Sequence, residues 1–247
     1  MSIKLNGYKK HVSDAVAHYW NTLTKQAENQ SLDNRDHGHR SAVTGGKQMD
    51  GFCGMIAWLL KANGLDTASI YTSEKRVIPG YFRATKDWDL LVVDKGFLVA
   101  AIEFKSQRGP SFGNNLNNRA EEAVGVGHDF EIALREGAFK TRGPRPWVGW
   151  VMLLEDCDKV KSTVRVSEPH FDVFKEFKAA SYAKRYELLL RRLVAEKLYD
   201  SAALLLASEQ GGPRGKYTEP ATDIGMHQFL AGLAGHVTAH LELGNDT

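Results

Sequence analysis

Cysteine is scarce in this sequence: Cys53 and Cys157 are the only two in 247 residues. That excludes a disulfide framework and fits a reducing cytoplasm. Long apolar runs are missing as well. No stretch approaches the length of a bilayer span, so a membrane role has no support, and the opening MSIKLNGYKKH carries no apolar run of signal-peptide length. An excess of one charge sign is also absent. A formal net charge of +2 and a pI near 8.4 neither demand nor exclude nucleic acid, so any surface for a polyanion has to come from a local patch. A phosphate-binding loop is not formed around Gly45-Gly46-Lys47, because Ser41 stands where the first glycine belongs and Gln48 replaces the Ser/Thr; a nucleotide cofactor is not expected. Metal spacing fails for both histidine pairs. His37 and His39 lack further ligands nearby, and His236 and His240 share a helical face without the glutamate of an HExxH pattern.

What is there is an ordinary mixture, 43% hydrophobic and 25% charged, long enough for one sizeable domain or a core with an addition. Val16, Tyr19, Trp20, Leu23 and Ala27 recur at helical spacing and predict a helix from about Val12 to Glu28. The polar stretch Ser31 to Gly46 has no period and reads as a loop. Gln48 to Asn63 predicts a second helix with Phe52, Met55, Ile56, Leu59 and Leu60 on one side, stopped by Gly64. Ser69 to Thr72 and Val77 to Arg83 are extended candidates, the second broken by Pro79-Gly80.

Asp87 to Gln107, reading DWDLLVVDKGFLVAAIEFKSQ, is the stretch around which the rest is organised. Two apolar runs, Leu90 to Val93 and Phe97 to Ile102, are split by Asp94-Lys95-Gly96, which predicts a β-hairpin. With a three-residue loop Val93 pairs with Phe97, and Asp89 falls opposite Ala101 and diagonal to Glu103 on one face. A two-residue loop places Asp89 and Glu103 on opposite faces. Glu103 and Lys105 share a face either way. Two carboxylates and an ammonium at the end of a buried hairpin suit a divalent cation beside a phosphodiester: hard oxygens hold Mg2+, and the lysine orients a water or helps to deprotonate it. The order of the acid and then Glu103-Phe104-Lys105 resembles the PD-(D/E)xK nuclease signature, with Trp88 where a proline is usual.

After Lys105 comes SQRGPSFGNNLNNR, read as a loop, followed by a helix from Asn118 to Gly137 with a small-residue face of Ala120, Ala123, Val124 and Gly127. Asn114, Asn115, Asn117 and Asn118 serve turn chemistry or groove contact equally well. Lys140, Arg142 and Arg145 make a basic loop, a phosphate clamp if the hairpin site is real. Trp147 to Leu154 is a further strand. Beyond Asp156 the pattern turns helical, with helices from Glu168 to Ala180, Tyr182 to Ala207 and Thr222 to Leu243. The expected fold is α/β: an αβββαβ core over about 46–156, a helical C-terminal extension over about 165–245, and one nuclease domain over 1–247.

The run AAIEFKSQRGPSFGNNLNNRAEEAVG, with AVTGGKQM before it and PGYFRATKDWDLLVV between, resembles the XhoI family of type II restriction endonucleases over most of the chain. The resemblance implies a restriction-endonuclease-like core with a mixed sheet flanked by helices. It also implies a homodimer that cuts duplex DNA with Mg2+, in the closest members at CTCGAG after its first C. Carried over by position, it makes Asp89 and Glu103 metal ligands, with the Phe104 carbonyl beside them, and Lys105 the catalytic lysine. Lys47, Gln107 and Arg119, inside the quoted runs, complete the expected DNA contacts with the four asparagines and the basic loop. Many such nucleases add a glutamate from the first core helix; Asp50, Glu28 or nothing fills that place here. Two other readings stay open: a repair or recombination nuclease that recognises DNA structure, and a DNA-binding module without catalysis.

Overall fold

The computed structural model describes residues 3–32 and 47–245. His37, His39 and most of the expected loop from Ser31 to Gly46 lie outside them. Helix α1 spans Tyr8–Leu32 and α2 spans Asp50–Ala62, after a short 3-10 turn at Lys47–Met49. Then come β1 (Ile70–Tyr71), β2 (Val77–Pro79), β3 (Thr85–Asp87), β4 (Leu90–Asp94) and β5 (Phe97–Gln107). They are followed by α3 (Phe112–Arg135), β6 (Trp147–Glu155), α4 (Asp158–Lys161), α5 (Tyr182–Ala195), β7 (Ser201–Ala207) and α6 (Met226–Asn245).

Five strands form one mixed sheet in the order β1-β4-β5-β6-β7; β4 is antiparallel to β1 and β5, and β5, β6 and β7 run parallel. Their apolar side chains go to both faces, as a sheet covered on both sides requires. One layer joins α1, α2 and α6 to the sheet through Val16, Phe52, Ile56, Leu59, Phe229 and Leu233. The other joins α3 and α5 through Phe112, Ala123, Phe130, Tyr186 and Leu190. β2 and β3 stand apart as a two-stranded ribbon, because Pro79-Gly80 ends the first strand and turns the chain back.

The hairpin turn is tighter than the three-residue loop. Asp94 pairs with Phe97 across Lys95 and Gly96, whose φ angles of 49° and 83° are those of a two-residue primed turn. That turn alone would put Asp89 and Glu103 on opposite faces. A β-bulge reverses the outcome: the register shifts between Val92 and Val93, so Val92 pairs with Ala100 and Val93 with Leu98. The extra residue, Val99, faces the same layer as Ala100. From Leu90↔Ile102 the register then runs on to Asp89 opposite Glu103.

Three other expectations are corrected. Ser201–Ala207 is a parallel strand, not the end of a helix: the left-handed Lys197 (φ 59°) follows α5, and the buried run SAALLLA fits either structure by pattern. Glu168 to Ala180 contains only the short turn Lys175–Phe177, since Phe171 and Phe174 stay exposed and no buried apolar face holds a helix there. Helix α3 begins at Phe112, not Asn118, because burial of Phe112 and Leu116 outweighs the poor helix propensity of Gly113 and the asparagines. Among the described residues, no helix is long and apolar enough to cross a membrane.

Candidate active site

Asp89, Glu103 and Lys105 meet on the α3 face of the sheet, where β4 begins and β5 nears its end. Asp89 is half-buried, and its Oδ2 accepts the backbone N–H of Phe104 at 2.8 Å. This bond ties the acid to the edge of β5. The N–H and C=O of one strand residue point to the same edge, so the Phe104 carbonyl faces Asp89 as well.

Glu103 is 1% exposed and lies between two ammonium groups. Lys86 Nζ donates to Oε1 at 2.6 Å, and Lys105 Nζ lies 2.6 Å from Oε2 as an ion pair without an aligned hydrogen bond. Burial pushes the Glu103 carboxyl up, and the Asp89 charge adds to it; the two lysines only partly offset this. Lys105 moves the other way from a buried amine. Desolvation alone would lower it, yet Glu103, Asp89 and Glu122 together hold it above the ordinary lysine range. Lys105 is therefore a protonated donor at neutral pH, which favours orienting a water over deprotonating one.

Sequence reasoning missed Lys86 and Glu122. Lys86 sits on β3 opposite Ile78, a pairing that depends on the turn at Gly80. Glu122, on α3, places Oε1 3.1 Å from Lys105 Nζ and also pairs with Arg119. Desolvation would raise its carboxyl, but Lys105 and Arg119 lower it on balance. The Arg119-x-x-Glu122 spacing was a visible signal for a helical ion pair. Its link to Lys105 was not.

The donor chemistry fits a hard divalent cation: two carboxylates and one backbone carbonyl, with Glu103 Oε2 buried and lacking an aligned hydrogen bond. Among the described residues, no three His, Cys, Asp or Glu side chains form a metal cluster. Cys53 Sγ, on α2, lies 3.7 Å from the Asp89 carbonyl. Burial, Asp89 and then Asp50 raise this thiol to about 12, which places the start of α2 in the same neighbourhood. Glu28 is exposed on α1.

The expected DNA contacts divide. Asn114, Asn117 and Asn118 are exposed and Asn115 half-buried on α3, where Asn115, Asn118 and Glu122 follow one helical stripe toward Lys105. Lys47 is exposed before α2. Gln107 is not available to DNA: it is 3% exposed, donates to the Phe112 carbonyl at 3.1 Å and accepts from the Tyr186 hydroxyl. The basic loop is displaced too. β6 runs parallel to β5 and starts with Trp147 opposite Ala100, so the basic loop before it lies further toward Leu98 and Phe97, about 16–20 Å along β5 from Glu103. There the Lys140 carbonyl accepts from Leu98 N–H at 2.9 Å, Arg142 stacks 4.4 Å over Phe97, and Arg145 pairs with Glu131 at 3.2 Å. A clamp on the phosphate beside Glu103 is out of their reach. His240 and His236 bond to Asp94 and to the Val99 carbonyl, each at 3.1 Å, and so brace the hairpin.

The family description Restriction endonuclease XhoI matches residues 25–219. The type II restriction enzyme BstVI of Geobacillus stearothermophilus is 53% identical over 220 residues, covering 87% of this chain and 98% of that protein. The type II restriction enzyme XhoI of Xanthomonas vasicola is 47% identical over 196 residues, 78% of each chain. The type II restriction enzyme AbrI of Azospirillum brasilense is 46% identical over 175 residues, 69% of this chain and 77% of that protein. No solved structure matches.

Proposed function

The chain belongs to the XhoI restriction endonuclease family, and from that premise we propose that it cuts both strands of the palindrome CTCGAG after the first C, using Mg2+ and leaving 5′ phosphates. It is a site-specific DNA endonuclease. We infer a cytoplasmic homodimer within a restriction-modification system, since a two-fold dimer gives each subunit one half-site to read and one strand to cut. One nuclease domain spanning the chain suffices for this, both apolar layers sharing one sheet.

The observation that supports the reading most is the convergence of Asp89, Glu103 and Lys105 on one face. Asp89, Glu103 and the Phe104 carbonyl would hold the cation. When bound, it supplies Lewis-acid polarisation of the scissile phosphate. Lys105, held as an ammonium between Glu103 and Glu122, donates to the attacking water and aligns it with the P–O3′ bond. The water's oxygen bonds to phosphorus, the O3′ leaves with the bond pair and is protonated from solvent, and the water's proton passes to solvent. The product keeps its phosphate on the 5′ end. Digestion of a sequenced plasmid with Mg2+, followed by mapping of the ends, tests this: discrete fragments ending at CTCGAG are expected, and a smear, cutting elsewhere or intact plasmid contradicts it.

A further inference from the structure

The ribbon of β2 and β3 carries two exposed aromatic residues that the site described above does not use. At its tip Tyr81 is 54% exposed and Phe82 68% exposed. Large aromatic groups left in water at a loop tip point to a contact partner. Their backbone is tied to α3. Asp129 of α3, 4% exposed, accepts the backbone N–H of Tyr81 at 2.8 Å and of Phe82 at 2.7 Å through Oδ1. Its Oδ2 accepts Arg83 Nε at 2.8 Å. A side chain at Gly80 would meet Oδ2 at 2.6 Å, so glycine is what lets the carboxylate reach the turn. Behind the tip, the His128 ring stacks on Phe82 at 5.8 Å.

The ribbon is continuous with the catalytic face. Its β3 strand supplies Lys86 to Glu103, and the hollow between the tip and α3 is lined by Phe82, Arg83, Glu122 and Asp129. Of the four basic side chains in residues 74–87, Arg76 pairs with Asp87, Arg83 with Asp129 and Lys86 with Glu103, while Lys75 is exposed. Phe82 stands four residues from Lys86, at most about 13 Å away along an extended strand, or roughly four base-pair steps of ~3.4 Å. Duplex held at Glu103 therefore brings bases of its own target under the tip. A two-stranded ribbon fits the major groove, and there phenylalanine's partner is the thymine methyl.

We propose that the β2–β3 ribbon enters the major groove beside the scissile phosphate and that Phe82 reads the thymine of the target through its 5-methyl group, Asp129 acting as the positioning residue. The proposal rests on the endonuclease reading above. The test compares kcat/KM with Mg2+ on duplexes carrying CTCGAG and on the same duplexes with uracil for thymine in the site. If plasmid mapping returns another target, its own thymines are replaced. Wild type cuts the uracil duplex about fourfold less efficiently, as loss of ~0.8 kcal/mol for one buried methyl group gives. Phe82→Ala cuts the thymine duplex about fourfold less efficiently and treats both duplexes alike, with melting temperature unchanged; Phe82→Leu keeps part of the preference. A Phe82→Ala enzyme that retains the full preference for thymine overturns the proposal. So does a shift in its sedimentation, which assigns the tip to contact between copies. Absence of any cutting by wild type overturns the endonuclease reading and this one with it; cutting by wild type with an unaltered Phe82→Ala enzyme overturns this one alone.

Discussion

Lys86 Nζ lies 2.6 Å from Glu103 Oε1, on the carboxylate expected to hold the cation. The same ammonium sits 5.3 Å over the Trp88 ring and reaches the Asp87 carbonyl. A buried carboxylate already paired with one lysine thus carries a second, and that second ammonium would compete with a cation held there.

Lys86→Met removes the competitor while keeping the apolar stem. Its cleavage should reach half-maximal rate at a Mg2+ concentration several-fold below that of wild type, since a neighbouring ammonium opposes a dication by ~1 kcal/mol or more at this range. Titration of initial rate against Mg2+ reads it. An unchanged or raised requirement removes Lys86 from the metal's neighbourhood.

The pH profile follows from the direction of the Glu103 shift. Its carboxyl is raised by burial, and the ionised form is the one that binds a cation. Activity should therefore be lost, as pH falls, above the ordinary glutamate range. A profile of kcat/KM that stays flat down to that range contradicts the assignment.

Gln107 yields a stability prediction in place of a DNA-binding one. Gln107→Leu leaves the buried Tyr186 hydroxyl without its partner and removes one of the bonds to the Phe112 carbonyl, costing about 1–3 kcal/mol. Denaturant melts should show the loss, while the fragment pattern stays that of wild type. Relaxed target choice at unchanged stability is the opposite result, expected of a base-reading residue.

These residues also mark how far the sequence could be read. The hairpin was legible because turn chemistry at Asp94-Lys95-Gly96 separates two apolar runs, and Glu103 and Lys105 share a face by strand period alone. Asp89 reaches that face by another route than the one expected: a two-residue turn inverts it, and the bulge at Val99 restores it. A bulge leaves no mark in an apolar run such as Phe97 to Ile102. The strand Ser201–Ala207 was hidden for the same reason, and the long-range pairing that brings Lys86 and Glu122 to the site has no local pattern. The distance of Arg142 from Glu103 followed from the parallel pairing of β5 and β6, which depends on the crossover through α3.

The central claim is that Asp89, Glu103 and Lys105 act together on one phosphate, and Lys105→Ala tests it most directly. Single-turnover cleavage of a duplex bearing the mapped target should fall about 10²–10³-fold or more, while affinity for that duplex stays within a few-fold of wild type. Cleavage at the wild-type rate would contradict it.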